Sequence, residues 1–278
     1  SMSDARLRIW QRITLVTLFT GYAGYYVCRS NLSVATPLIL KEFKGTGIDE
    51  EAIGGVVSLG VLLYAIGKIF NGVLADRIGG RPLFLLGMFV SILCTLLFGL
   101  SSGLTAFLII WACNRFFQSM GWVSLVKSAS RWFPYSRHAT IMGILSMSFL
   151  LGDAGVRLYL GGLLYLGFGW RALFYAAAAT LGVIGVISFF TLKSSPADVG
   201  AVEPTANPIN VYDDAAIQQP TMWELLAPLL ASKTFWLICI VNFGLTLIRE
   251  TFTFWTPTFL HKEVGMTVAD AALGSLLF

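Results

Sequence analysis

Long apolar stretches follow one another along most of this chain, and they limit how it can fold more than any other feature. About 20 apolar residues are enough to cross a lipid bilayer as a helix. We predict seven such spans and the beginning of an eighth near Val268, the seven lying at residues 13–40, 51–75, 82–103, 105–130, 138–165, 170–193 and 232–258. Because helices satisfy their own backbone hydrogen bonds in lipid, the chain is predicted to be an all-α, polytopic membrane protein.

The composition excludes most soluble classes of protein. Charged residues make up 12% of the 278 residues and hydrophobic residues 56%, whereas a soluble domain has about 25% charged residues. The four cysteines lie unclustered within spans and show no disulfide or metal-binding spacing. The two histidines lie at span ends, and no nucleophile–base spacing is present. We therefore expect no enzyme activity, no metal and no cofactor.

The basic residues between the spans favour one side of the membrane. With a cytoplasmic N-terminus, the inner segments carry ten of them, and the outer segments carry four: Lys41, Lys44, Arg171 and Lys262. Since cytoplasmic loops carry the excess of lysine and arginine, the N-terminus is expected inside. The net charge of +4 thus reflects topology in a lipid bilayer, and nucleic acid is not expected as a partner.

Away from the span ends, seven charged residues lie inside the predicted spans, five of them basic and two acidic. They are Arg29, Lys68, Arg115, Arg157, Arg249, Asp153 and Glu250. A charged side chain in the bilayer costs about 2.5–3.5 kcal/mol on insertion scales, so such residues normally face a cavity or a partner. The excess of three positive charges predicts that a small-molecule anion supplies the missing counter-charge.

The C-terminal part of the sequence repeats its beginning. A shift of 220 residues aligns Arg29 with Arg249, Ser33 with Thr253, Thr36 with Thr256, Pro37 with Pro257 and Leu40 with Leu260. Internal repeats of this kind predict repeated structural units. We predict an N-terminal six-helix bundle at 1–193, a cytoplasmic inter-bundle loop at 194–231, and the truncated start of a C-terminal bundle at 232–278.

Each repeated helix carries one stripe of hydrogen-bonding side chains, at positions three or four residues apart that share a helix face. The stripes are Tyr22, Tyr26, Arg29, Ser33, Thr36 and Asn242, Thr246, Arg249, Thr253, Thr256. We expect both to line a wet cavity. A guanidinium group can donate two parallel hydrogen bonds to the oxygens of a phosphate or carboxylate. Arg29 and Arg249 therefore predict that a multivalent oxyanion binds between them. Alternatively, each arginine pairs with a carboxylate of another helix. Glu250 is expected to point about 100° away from Arg249 around the helix.

Three further ionisable residues have alternative interpretations. Lys68 lies near the inner end of the second span, where it would line the cavity or extend to the membrane interface. Asp153 and Arg157 are four residues apart, which predicts an ion pair within one helix. The alternative for Asp153 and Arg157 is a proton-coupling or gating pair.

The string "GVLADRIGGRP" at 72–82 lies in a predicted cytoplasmic turn. Gly72 is expected to let helices approach closely, Asp76 to cap or pair with a neighbouring helix end, and Arg77 and Arg81 to hold the turn at the membrane face. The string resembles the signature of the major facilitator superfamily, with matches at Gly72, Leu74, Ala75, Asp76, Arg77, Gly79 and Arg81.

Four further strings resemble the organophosphate:phosphate antiporter family within that superfamily. They are "GYAGYYVCRSNLSVATP", "YAIGKIFNGVLADR", "NRFFQSMGW" and "LIRETFTFWTPTFL". The resemblance implies exchange of a phosphorylated metabolite for phosphate by a rocker-switch motion, in a bacterial inner membrane and as a monomer. It implies that Arg29 and Arg249 grip the phosphoryl group and makes Tyr22, Tyr26, Lys68, Asn114, Gln118 and Thr253 candidate substrate-binding residues.

The sequence departs from that family at positions that bear on the substrate. Ser30 replaces a second basic residue and Phe149 replaces a histidine of the glycerol-3-phosphate branch. The phosphate site is therefore expected to be kept and the pocket for the organic group to differ. Two alternatives stay open: a sensor of sugar phosphates that signals through a membrane kinase partner, and a proton-coupled anion symporter that uses Asp153.

Overall fold

The computed structural model describes residues 2–204 and 222–277, and their regular secondary structure is helical. The helices are α1 (Met2–Glu42), α2 (Glu50–Ile78), α3 (Gly80–Leu100), α4 (Leu104–Gln118), α5 (Met120–Trp132), α6 (His138–Tyr165), α7 (Trp170–Thr191), α8 (Met222–Ala231), α9 (Lys233–Lys262) and α10 (Val268–Gly274). Short 3₁₀ turns cover Tyr135–Arg137, Pro196–Val199 and Ser275–Leu277. The all-α prediction is confirmed.

Each predicted span overlaps these helices, but the fourth is divided between two helices, and the first, in α1, is not among the five segments given next. By length and composition, five helical segments of the described chain can cross a membrane: Glu50–Ile78, Gly80–Leu100, Tyr135–Tyr165, Trp170–Thr191 and Lys233–Lys262. Span 4 is divided into α4 and α5 at Ser119, whose hydroxyl donates to the Phe116 carbonyl oxygen at 2.6 Å. Asn71 of α2 donates to the same hydroxyl at 2.7 Å, so the break is fixed by a neighbouring helix.

Helix α1 lies against α5, α6 and α7, and α3 packs on α4, α5 and α7. An aromatic stack forms the core between α3, α4 and α7: the Phe98 ring lies 4.5 Å from Phe107 and 4.6 Å from Phe174, centroid to centroid. Trp170 closes this stack and donates from Nε1 to Glu42 at 2.6 Å. The hydrogen bond from Arg171 holds the pKa of the Glu42 carboxyl below its usual value.

The turn between α2 and α3 holds the "GVLADRIGGRP" string. Gly79 separates the two helices at φ 86°, a conformation that favours glycine. Arg81 donates from Nε to the Leu192 carbonyl oxygen at 2.6 Å, and Asp76 pairs with Lys127 of α5 at 2.8 Å.

Gly72 and Arg77 of the same string lie at more open positions of α2. A Cβ atom on Gly72 would meet no atom of the described residues within 4 Å, so the expected close helix approach at Gly72 stays a prediction. Its side of α2 faces open space at this level. Arg77 is exposed.

The contacts between α9–α10 and the first seven helices concentrate at one end. Helix α9 contacts α1, and α10 contacts α6. Lys262 pairs with Glu50, and Tyr165 bonds to Asp270. The earlier turns of α9 are exposed, as Ile240 and Phe243 show. The division of the chain into two bundles and a loop stays a prediction, and residues 205–221 of that loop lie outside the described residues.

One glycine sets the distance between α1 and α6, the helices that carry much of the cavity wall. A Cβ atom on Gly152 would lie 2.9 Å from the Cα atom and 3.0 Å from the carbonyl oxygen of Ala23. Backbone atoms cannot rotate away as a side chain can, so any larger residue would push the helices apart.

We predict that Gly152→Ala lowers the unfolding temperature, because overpacking costs about 1–3 kcal/mol. Gly155→Ala is the matched control, since a Cβ atom on Gly155 would meet nothing within 4 Å. Thermal unfolding in detergent measures both variants. Equal unfolding temperatures for the two would contradict the proposed closeness of α1 and α6.

Candidate functional site

A cavity of about 430 Å³ lies between α1, α2, α4, α6 and α9. Six of the seven ionisable residues inside the predicted spans line it: Arg29, Arg115, Arg157, Arg249, Asp153 and Glu250. Val57, Val61, Trp111 and Phe149 form part of its apolar wall. Because these charged side chains face one cavity, they need not be exposed to lipid, where each would be costly.

The two repeated helices meet at equivalent positions beside this cavity. The Ser33 hydroxyl donates to the Phe254 carbonyl oxygen at 2.6 Å, and the Thr253 carbonyl oxygen lies 3.4 Å away. Ser33 and Thr253 are aligned by the 220-residue shift. Arg29 and Arg249 line the cavity from these two helices.

Glu250 contacts both repeated arginines. Its Oε1 atom lies 3.8 Å from the Arg29 guanidinium and 3.4 Å from that of Arg249. The expectation that Glu250 points away from Arg249 is therefore wrong, because long flexible side chains of adjacent residues can curve around the helix towards each other. The sequence did contain a signal for this contact, because Glu250 is the residue next to Arg249.

Two tyrosine rings surround the Arg29 guanidinium. Its Cζ atom lies 4.9 Å from the Tyr26 ring centroid and 4.6 Å from that of Tyr64. Its NH1 group also lies 3.4 Å from the Tyr26 hydroxyl and 3.5 Å from the Tyr64 hydroxyl. Cation–π contacts orient the planar Arg29 guanidinium without neutralising its charge. Sequence reasoning missed Tyr64, although it lies one turn before Lys68 on α2.

Arg115 is the third arginine of the wall opposite α9. Its side chain is buried, with the residue 4% exposed, and its Cζ atom lies 4.7 Å from the Tyr64 ring centroid. Among the residues that the structure describes, no carboxylate lies within 4 Å of this guanidinium. Arg115 therefore makes no direct ion pair within the described residues, and the carboxylate that attracts it is Glu250, which Arg29 and Arg249 also contact.

Asp153 and Arg157 lie in a network that crosses between helices. Arg157 Nε lies 3.2 Å from the Asp153 carboxylate. The same arginine donates to Ser275 Oγ at 2.7 Å and to the Thr253 carbonyl oxygen at 2.8 Å, while the Ser30 hydroxyl donates to Asp153. The pair thus connects α6 to α1, α9 and the turn after α10.

Four predicted substrate-binding residues do not line the cavity. Asn114 donates to the Cys28 carbonyl oxygen at 3.0 Å, and Gln118 donates to that of Tyr25 at 3.1 Å. Both amides are buried and hold α4 against the backbone of α1, so their position differs from the prediction. Tyr22 is 4% exposed and stacks near Trp122.

Lys68 is the fourth of these residues. It is exposed, and its Nζ atom lies 4.9 Å from the Tyr64 ring centroid. Tyr26 and Thr253, in contrast, line the cavity together with Arg29 and Arg249. The structure therefore brings together four of the eight predicted substrate-binding residues.

The cavity has the features of an anion-binding site rather than of a metal site. Within residues 2–204 and 222–277, no group of three or more histidine, cysteine or acidic residues is placed to hold a metal ion. The four cysteines are free. Arginine side chains facing a partly apolar cavity can bind an organic anion through its charged end and its apolar body.

A helical membrane bundle with a charged central cavity is typical of membrane transporters. The sequence matches one family model. Residues 18–278 match the Major Facilitator Superfamily. The chain belongs to this superfamily and is an integral membrane protein.

Curated relatives support the resemblance to organophosphate:phosphate antiporters. The membrane sensor protein UhpC of Salmonella typhimurium is 25% identical over 280 residues, covering 99% of this chain and 62% of its own length. The glycerol-3-phosphate transporter of Bacillus subtilis is 25% identical over 290 residues, covering 100% and 64%. A probable hexose phosphate transport protein of Chlamydia trachomatis is 23% identical, covering 98% and 61%. The chain spans less than two thirds of the length of these relatives.

Solved structures give the same fold. A bacterial homologue of the human lysosomal transporter Spinster superposes with a TM-score of 0.76 at 18% identity, over 95% of this chain and 58% of that one. The prediction of a major facilitator fold is confirmed.

We predict that Asp153→Asn and Arg157→Gln each destabilise the protein, because removing one partner of a buried pair costs about 3–5 kcal/mol. Arg157→Gln should cost more, since it also loses the bonds to Ser275 and Thr253. The double variant should regain part of the loss. Glu203→Gln in the exposed pair with Arg131 is the control, with an expected cost of less than about 1 kcal/mol. A double variant less stable than both single variants, measured by thermal unfolding, would contradict this account.

Proposed function

We propose that the protein is a secondary active transporter that exchanges an organic phosphate ester, such as a sugar phosphate, for inorganic phosphate. The observation that supports it most is the placement of Arg29 and Arg249. They come from repeated helices, face one cavity and share a single carboxylate. A phosphate group with several oxygens can occupy two guanidinium forks at once.

The arrangement of contacts fits transport by alternating access. The bonds between α9–α10 and the remaining helices gather at the end that holds Lys262 and Glu50. Opening this end while the opposite end closes would expose the cavity to each side in turn. With the N-terminus in the cytoplasm of a bacterium, this closed end would face outwards.

A second candidate function is sensing of sugar phosphates. One relative is named a membrane sensor protein, and sensing would need the same binding cavity. The protein would then bind phosphate esters without flux and signal through a kinase partner. In either case we propose that it binds a small anion and catalyses no covalent reaction, and that it acts as a monomer.

We predict that Arg29→Lys in the full-length protein lowers phosphate exchange by about tenfold or more, because a hydrogen bond to a charged group contributes about 1.5–3 kcal/mol. Lysine keeps the charge and loses the planar fork. Counterflow of labelled phosphate in proteoliposomes measures the exchange. Arg131→Lys is the matched control, because Arg131 is exposed and lies outside the cavity.

The outcomes separate the candidate functions. Phosphate exchange in the wild type that Arg29→Lys lowers to this extent supports the antiporter. Phosphate binding without flux supports the sensor. Near wild-type exchange by Arg29→Lys would contradict a substrate-gripping role for this arginine, and uptake that needs a pH gradient and Asp153 would indicate the symporter.

A further inference from the structure

The charges that face the cavity can be sorted by their partners. Asp153 and Arg157 neutralise each other at 3.2 Å. Arg29 and Arg249 share Glu250, and Arg115 has no carboxylate within 4 Å among the described residues. Three arginines and one glutamate remain once the Asp153–Arg157 pair is set aside, which leaves a formal charge of +2.

Arg115 is unlike an arginine that simply extends to the membrane surface. It is 4% exposed and lies in the wall of the cavity. The Tyr64 ring packs against both Arg115 and Arg29, with Cζ–centroid distances of 4.7 Å and 4.6 Å. One ring thus holds both guanidinium groups on the same side of the site. Glu250 is the carboxylate that attracts Arg115, and it is shared with Arg29 and Arg249. One carboxylate cannot balance three guanidinium groups, so an anion from outside would supply the missing counter-charge.

Glu250 is unlike a structural counter-ion buried within one pair. Its Oε1 atom contacts guanidinium groups of two helices, and its side chain is 35% exposed. A carboxylate in this position occupies the place between Arg29 and Arg249 that a phosphate oxygen would take. It therefore competes with a substrate anion for the same donors.

We propose that Arg115 and Glu250 set the charge selectivity of the site. Arg115 is a third cationic group for the substrate anion, and Glu250 is an internal anion that occupies Arg29 and Arg249 until the substrate displaces it. The resulting charge of +2 selects a dianionic phosphate or phosphate ester over a monoanion. This inference rests on the proposed function, since it assumes that phosphate enters the cavity.

The test compares the affinity for inorganic phosphate in variants of the full-length protein. Glu250→Gln removes the competing carboxylate and raises the site charge by one, so the Kd for phosphate should fall by about threefold or more. Arg115→Gln lowers the site charge by one and should raise the Kd by about tenfold. The double variant restores +2 and should bind within about threefold of the wild type. Isothermal titration calorimetry of the purified protein at pH 7.5 measures each Kd.

Glu263→Gln is the matched control, because it makes the same change just after the end of α9, at an exposed residue outside the cavity. Its Kd should equal that of the wild type. The Glu250→Gln measurement decides the proposal by itself if Arg115→Gln gives too little folded protein.

A Glu250→Gln variant whose phosphate Kd is unchanged or higher would overturn the proposal, since Glu250 would then hold the arginines in shape rather than compete with phosphate. A double variant that binds as weakly as Arg115→Gln alone would also overturn it. These results differ from failure of the proposed function, in which the wild type itself would bind no phosphate.

Discussion

A guanidinium group inside a membrane bundle needs an anion close to it. This requirement explains why the arginines of the spans lie around one cavity. Each of Arg29, Arg115, Arg157 and Arg249 would cost about 2.5–3.5 kcal/mol to insert alone on insertion scales. The fold gathers all four around one cavity of about 430 Å³, where two carboxylates of the described residues, Asp153 and Glu250, accompany them. The cations that remain uncompensated make binding of an external anion favourable, so the cost of placing them in the membrane becomes part of the binding function.

Polar side chains that do not touch the cavity keep its cations in place. Asn114 and Gln118 bind carbonyl oxygens of α1, the helix that carries Arg29. Ser33 binds the backbone of α9 close to Arg249. Buried amides in lipid need partners, and backbone carbonyls on a neighbouring helix supply them. In this structure the two amides position α1, and the substrate-binding role predicted for them stays a prediction.

The helical spans and the cavity-facing arginines could be predicted from the sequence, because apolar length and the cost of buried charge leave few choices. The division of span 4 at Ser119 could not, since it depends on a hydroxyl that pairs with Asn71 of another helix. The contact of Glu250 with Arg249 was missed because the angle of about 100° between adjacent residues of a helix gives only the directions of their Cβ atoms. A glutamate and an arginine side chain extend several bonds beyond Cβ and can still meet. Tyr64 contacts basic residues of α1, α2 and α4. Residue spacing along one helix cannot predict contacts that depend on how three helices pack. Gly72 matches a signature, yet a Cβ atom added to it would meet no atom of the described residues within 4 Å.

The central claim is that one oxyanion binds between Arg29 and Arg249. A structure of the full-length protein with inorganic phosphate bound tests it most directly. The account predicts one phosphate whose oxygens lie within about 3.2 Å of both guanidinium groups, with the Glu250 carboxylate moved away from them. A phosphate held by only one of the two arginines, or bound outside the cavity with Glu250 still between them, would contradict it.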